Sequence, residues 1–189
     1  MKHKIQHILA SLLAVWLLTC PALAASSFPD VDENAEYAEA VEYLGQIGIM
    51  VGDNQGNFNP NKPVTRAEMA TIICRMLGET ENLPSSTAFT DVLAGHWANT
   101  YIGKAAELGI VNGYGGGKFG PSDTVTYEQA LTMLVRALNL EENALEAGGY
   151  PMGYISVAQE YGFTYQLSAK NGDLMMRWQI AIILYNTQV

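Results

Sequence analysis

Phe28-Pro29-Asp30-Val31 returns as Phe89-Thr90-Asp91-Val92, 61 positions further along the chain. The same offset carries Gly48-Ile49 onto Gly109-Ile110, Gly52 onto Gly113, and Phe58-Asn59-Pro60 onto Phe119-Gly120-Pro121. It also carries Val64-Thr65 onto Val125-Thr126, and Arg75-Met76-Leu77 onto Arg136-Ala137-Leu138. One offset held without a gap over about fifty positions marks an internal repeat. A third, degraded copy follows. Tyr154-Ile155 and Gly162-Phe163 match Tyr101-Ile102 and Gly109-Ile110 at an offset of 53, and Met176-Arg177 match Thr126-Tyr127 at 50. This copy has therefore lost three loop residues and shows no Phe-x-Asp opening. Gly78 to Ala88, with Pro84-Ser85-Ser86, reads as one linker, and Glu141 to Gly149 as the second connection.

Within each copy the apolar residues fall at helical spacing. Tyr37, Ala40, Val41, Leu44 and Ile47 form one stripe; Met69, Ile72, Ile73, Met76 and Leu77 form another after a polar, glycine-bearing loop. Met133, Leu134, Ala137 and Leu138 repeat the second stripe, and Ile180, Ile183 and Leu184 repeat it again. A single helix pair of this size cannot bury its stripe, whereas three pairs can share one core. The expectation is an all-α fold of three helix-loop-helix units, with the copies at 28–80, 89–140 and 141–189.

The first residues read as a targeting segment. Lys2 and Lys4 precede the apolar run Ile8 to Leu18, and Ala22-Leu23-Ala24 offers small residues where a signal peptidase cuts. Residues 1–24 are expected to be a cleaved signal peptide, because the run is short of the roughly 20 residues a spanning helix needs. No comparable run follows, so no membrane span is expected in the mature form. Cleavage removes Lys2 and Lys4 but no acid, taking the net charge from −9 to −11. So acidic a chain argues against nucleic acid as a partner and against general adhesion to anionic membranes. An anionic ligand would need a local basic site set against that field.

Catalytic chemistry has little to work with. Cys74 and His96 are the only cysteine and histidine beyond residue 24. That leaves no internal disulfide, no zinc ligand set and no local nucleophile–base signature. Cys74 lies in an apolar helical stripe and reads as a buried thiol. Asp53-Asn54-Gln55-Gly56-Asn57 opens like a calcium loop, but Val64 stands where an EF-hand places its closing glutamate. Gly115-Gly116-Gly117-Lys118 is not a phosphate loop: Asn112 takes the place of its first glycine, and Phe119 follows the lysine. No enzyme activity, metal or cofactor is expected.

The starts of the second helices carry the binding chemistry. Thr65 and Glu68 fit N-cap and N3 of a capping box, and Thr126 with Gln129 repeats it. Capping alone explains those four residues. Arg66 falls at N1, where the helix dipole disfavours a cation by about 0.3–1 kcal/mol, and Arg177 holds the matching place in copy three. Two explanations stand. The guanidinium, together with free helix amides, could hold an anion, or it could pair with Glu68 or with a carboxylate of another copy.

The combined pattern resembles the S-layer homology (SLH) repeat. Copy one supplies Phe28-x-Asp30, Gly48-Ile49, Gly52, Phe58-x-Pro60 and Val64-Thr65-Arg66-Ala67-Glu68. Copy two supplies Phe89-x-Asp91, His96-Trp97-Ala98, Gly109-Ile110, Gly113, Phe119-x-Pro121 and the helix opening at Thr126. Gly148-Gly149-Tyr150-Pro151, Tyr154-Ile155 and Met176-Arg177-Trp178-Gln179 resemble it a third time. The resemblance implies a pseudo-threefold helical bundle, secreted to the cell surface, that binds the secondary polymer attached to peptidoglycan, often through pyruvylated amino sugars. It implies grooves between repeats in which Arg66 and Arg177 contact the anionic sugar, with Glu68, Gln129 and Tyr127 beside the same helix openings. Trp97 would be the groove aromatic, either stacked on sugar or packed in the core. The alternative partner is another S-layer or SLH protein. Tyr127 stands where copy two should carry arginine, Met176 removes a threonine cap, and Glu36 and Tyr150 replace Trp97 in copies one and three. One or two working grooves are expected rather than three.

Overall fold

A computed structural model describes residues 28–188. The expected signal peptide, residues 1–24, lies outside the described residues. Among the described residues there are seven helices: α1 (Ala38–Gln46), α2 (Arg66–Met76), α3 (Asn99–Glu107), α4 (Tyr127–Ala137), α5 (Glu141–Glu146), α6 (Met152–Glu160) and α7 (Arg177–Asn186). Six of them make three helix-loop-helix units: α1–α2, α3–α4 and α6–α7. The seventh, α5, lies in the second connection, Glu141 to Gly149, where the sequence reading places no helix. Glu141 and Glu142 in its first turn suit the helix dipole, and Ala144 is fully buried against Gly153 of α6.

The Gly-Ile pairs end the first helices. Gly48, Gly109 and Gly162 hold φ of 75°, 72° and 76°, a left-handed conformation in which glycine avoids the Cβ penalty. Ile49 N–H then turns back to donate to Leu44 C=O at 2.9 Å, and Ile110 N–H to Ala105 C=O at 2.9 Å. The aspartates of the Phe-x-Asp openings clamp the loops. Asp30 accepts from Phe58 N and Asn59 N at 2.7 and 2.6 Å, and Asp91 from Phe119 N and Gly120 N at 2.8 and 2.9 Å. These bonds hold the Asp91 carboxyl below its ordinary value.

The three units are joined in a ring. Val64 N–H donates to Met175 C=O (2.9 Å), Met175 N–H to Val125 C=O (3.0 Å), and Val125 N–H to Val64 C=O (2.9 Å). These three residues occupy equivalent positions, and all are fully buried. The closed cycle marks a pseudo-threefold axis. Helices pair across units as well: α2 packs on α3, α4 on α6, and α7 returns to α1. Each second helix thus covers the first helix of the next copy, and one hydrophobic cluster runs through all three units. This is how short amphipathic pairs escape the limit on isolated helices. Cys74 is buried in that cluster, and its Sγ lies 3.6 Å from Tyr101 O. No helix among the described residues is long and apolar enough to cross a membrane.

Candidate functional site

The ring of contacts decides what happens at the helix openings. Arg66 N–H donates to Asp123 C=O (2.8 Å), Tyr127 N–H to Asp173 C=O (2.8 Å), and Arg177 N–H to Lys62 C=O (3.0 Å). Ala67 and Trp178 donate likewise to Pro121 and Pro60. Each second helix is therefore capped by the loop of the next unit. This corrects the expectation that free helix amides await an anion: the first amides are already taken by carbonyls, as buried donors must be. The side-chain caps also differ. Thr65 Oγ1 accepts from Glu68 N (3.2 Å), and Glu68 Oε2 accepts from Thr65 N (2.9 Å). At the second opening only Gln129 Oε1 reaches back, to Thr126 N (3.3 Å), and the buried Thr126 hydroxyl has no partner. The expected second capping box is half formed. In copy three Gln179 Oε1 accepts from Met176 N (2.9 Å), keeping the same half.

The N1 side chains reach across the same joints. Arg66 is 6% exposed; its Nε donates to Phe119 O at 2.8 Å, and its guanidinium lies 4.4 Å from the Tyr114 ring centre and 4.7 Å from that of Phe119. Arg177 is 9% exposed; Nε donates to Phe58 O (2.7 Å) and Nη2 to Val51 O (2.9 Å), with the Phe58 ring 4.6 Å away. The ion pairs among the described residues are Lys62–Glu68, Lys104–Glu79 and Arg136–Glu141, and neither buried arginine takes part. Pairing of Arg66 with Glu68 is thus not formed. Burial pushes both guanidinium groups down from their ordinary value, yet arginine keeps its charge in proteins. Each joint therefore holds a cation with carbonyl and aromatic partners but no paired carboxylate.

Each arginine floors a groove. The first is lined by Arg177, the loop Met50 to Asp53, the α2 residues Glu68, Thr71 and Arg75, and Trp97. The second is lined by Arg66, the loop Val111 to Tyr114, the α4 residues Gln129, Thr132 and Arg136, and Tyr150. Position for position these are one site built twice. The third equivalent groove is lined by Tyr165 and Gln166, by Ile182 and Asn186 of α7, and by Glu36, Glu39 and Ala40. Volumes of about 200, 280 and 180 Å³ are similar, so lining rather than size separates them. The third has two carboxylates and no cation in its wall.

The sequence-predicted residues sort accordingly. Arg177, Trp97 and Glu68 meet in the first groove, and Arg66 and Gln129 in the second. Trp97 is 61% exposed and Tyr150 58%, so neither ring is core. The turn carrying Trp97 is pinned by Asn99, whose Nδ2 donates to Leu93 O at 2.9 Å, and the indole stacks on His96 at 5.7 Å. Tyr127 is buried, with Thr164 and Gln159 of copy three beside its hydroxyl, and absent from the walls of these grooves. Sequence reasoning passed over Arg75 and Arg136 as groove residues. Their repeat at 61 positions, both charged on otherwise apolar stripes, was the available signal.

The S-layer homology domain family matches residues 27–70 and 88–131. The chain belongs to this family. Copy three lies beyond the matched residues, and its place in the bundle rests on the backbone ring. A "Cell surface protein" of Thermoanaerobacter kivui is 37% identical over 166 residues, covering 85% of this chain and 21% of that protein. A "Surface layer protein" of Brevibacillus choshinensis is 32% identical over 163 residues, covering 85% and 14%. A "Middle cell wall protein" of Brevibacillus brevis is 30% identical over 178 residues, covering 90% and 16%. The chain thus spans about a fifth or less of these relatives. Family and relatives together indicate an SLH chain of the bacterial cell surface.

Proposed function

We propose that this SLH bundle attaches non-covalently to the cell wall by binding an anionic, pyruvylated secondary wall polysaccharide in its first and second grooves. The observation that carries the reading is a buried guanidinium, outside the ion pairs of the described residues, that shares a groove with an exposed aromatic ring, found twice. A desolvated cation without a directly paired carboxylate is costly. A pyruvyl carboxylate entering the groove offsets that cost through charge-assisted hydrogen bonds, and the ring of Trp97 or Tyr150 offers a flat apolar face to the sugar. These are local basic sites on a chain of net charge −9. Binding of this kind is recognition without bond making or breaking.

The test is co-sedimentation of the protein with purified wall sacculi, before and after chemical removal of the secondary polymer. Binding should vanish on stripping and weaken in Arg66→Ala and Arg177→Ala variants. A folded protein that stays in the supernatant with intact, pyruvylated walls refutes the reading and directs the search to a protein partner.

A further inference from the structure

Arg75 and Arg136 hold the same position on α2 and α4, and each lines the groove floored by the N1 arginine of the preceding unit. Each guanidinium lies against an equivalent tyrosine: Arg75 is 6.0 Å from the ring centre of Tyr101, and Arg136 is 5.6 Å from that of Tyr154. They differ in what holds them. Arg136 Nε donates to Glu141 Oε1 at 2.8 Å, and the Tyr154 hydroxyl donates to the same oxygen at 2.6 Å. The residue 61 positions before Glu141 is Thr80, which carries no charge, and Arg75 has no part in the ion pairs of the described residues.

We infer that the two grooves are unequal anion sites: Arg75 and Arg177 form a two-guanidinium clamp for a carboxylate in the first, whereas Glu141 holds Arg136 back in the second. This deepens the proposed wall-binding function and rests on it. The acids in the first groove do not cancel the clamp. Glu68 is occupied by Lys62 and by the cap of its own helix. Asp53 accepts from Gln55 N, Asn57 N and Asn59 Nδ2 within its loop. In the second groove the neutralised Arg136 leaves Arg66 as the guanidinium open to a ligand carboxylate. Glu141 is then the residue that sets the ranking of the sites, although it touches no ligand. One added charge-assisted contact corresponds to at least about tenfold in affinity.

The experiment is an NMR titration of the protein with a soluble pyruvylated N-acetylhexosamine methyl glycoside. The Trp97 indole reports the first groove, and the Gly113 amide reports the second. In the wild type, the Trp97 signal should saturate at a concentration about tenfold lower than the Gly113 signal. Arg75→Gln should remove that advantage and leave the Gly113 titration unchanged. Glu141→Gln, which keeps the shape of the tether and removes its charge, should tighten the second groove about tenfold. Thr80→Glu should weaken the first, and it serves as the matched test if Glu141→Gln disturbs the fold. Equal saturation in the wild type, or a folded Glu141→Gln protein with an unchanged Gly113 titration, overturns the inference and leaves wall binding standing. A glycoside that moves neither signal overturns the wall-binding reading, and this inference with it.

Discussion

Phe119→Ala tests whether the three units share one cooperative core. Phe119 is fully buried in copy two, 5.3 Å from the Phe89 ring centre and under the Arg66 guanidinium contributed by copy one. Truncating a buried phenylalanine costs about 3–5 kcal/mol. The lost cation–π contact adds about 0.5–2 kcal/mol. Taking ~4 kcal/mol and a urea dependence of about 2 kcal/mol per molar, the unfolding midpoint should fall by about 2 M. Such a loss is a large fraction of the 5–15 kcal/mol typical of folded domains. The assay is urea unfolding followed at two indole NMR signals, Trp97 in copy two and Trp178 in α7. Trp178 stacks on Tyr37 of copy one at 5.6 Å, far along the chain from the substitution. Because α7 closes back on α1, both signals should be lost together at the lowered midpoint, as two-state behaviour requires. A Trp178 transition left at the wild-type midpoint would show that the units fold separately and would refute the shared-core reasoning. A shift below about 0.5 M for both signals would refute the energetic argument.

Three further outcomes are expected. Thr126→Val should stabilise the protein by about 1 kcal/mol, because it removes a buried hydroxyl without a partner; Thr65→Val should destabilise it by about as much, because that hydroxyl accepts from Glu68 N. Thermal melts of the pair, moving in opposite directions, are the check. Gly113→Ala should cost more than Gly116→Ala. Both glycines have positive φ, but a Cβ at 113 would strike Lys118 O and Phe89 Cε1, while one at 116 meets open space; equal losses on thermal melting would contradict the steric account. Burial, reinforced by Glu79 and opposed by Lys104, pushes the Cys74 thiol up to about 11. The folded value exceeds the unfolded one, so this contribution is complete below about pH 9 and is lost as pH rises towards 11. The wild-type melting temperature should therefore fall more steeply across that window than that of Cys74→Ala, and parallel curves would argue against it.

The fold was legible because its signals are periodic. The 61-residue offset, the 3.6-residue stripes and the Gly-Ile helix ends each follow from a local rule, and they agree. The closure was not legible, since nothing in the pattern tells which copy's carbonyl receives Arg66 N–H. Reading Arg66 locally gave free amides and a possible pairing with Glu68. The neighbour's Asp123 and Pro121 carbonyls take the amides instead, and Lys62 takes Glu68. Arg75 was hidden for a related reason. On a helical wheel it borders an apolar stripe and looks like a solvated edge. Only the packing of α2 on α3 turns that edge into a groove wall facing Trp97.

The cross-unit geometry also gives meaning to the departures that looked like decay. Copy three keeps what the bundle needs: Met175 completes the backbone ring, and Gln179 keeps its half of the cap. It keeps Arg177 too, but that side chain belongs to the first groove, where it bonds Phe58 O and Val51 O of copy one. The groove formed by copy three's own loop and α7 has lost every element that the other two share. Ile182 replaces Thr71 and Thr132, Asn186 replaces Arg75 and Arg136, and Glu36 replaces Trp97 and Tyr150. The N1 residue that would floor this groove comes from copy two, and it is Tyr127 rather than arginine. A cation there would have faced Gln159 and Thr164 in copy three, beside a wall carrying Glu36 and Glu39, with a carboxylate at the position where the other two grooves carry Trp97 and Tyr150. The missing arginine of copy two and the Glu36, Ile182 and Asn186 replacements of copies one and three thus all meet at one groove. The scaffold keeps its threefold closure, while on the reading proposed here binding is confined to the two grooves that Arg177 and Arg66 serve.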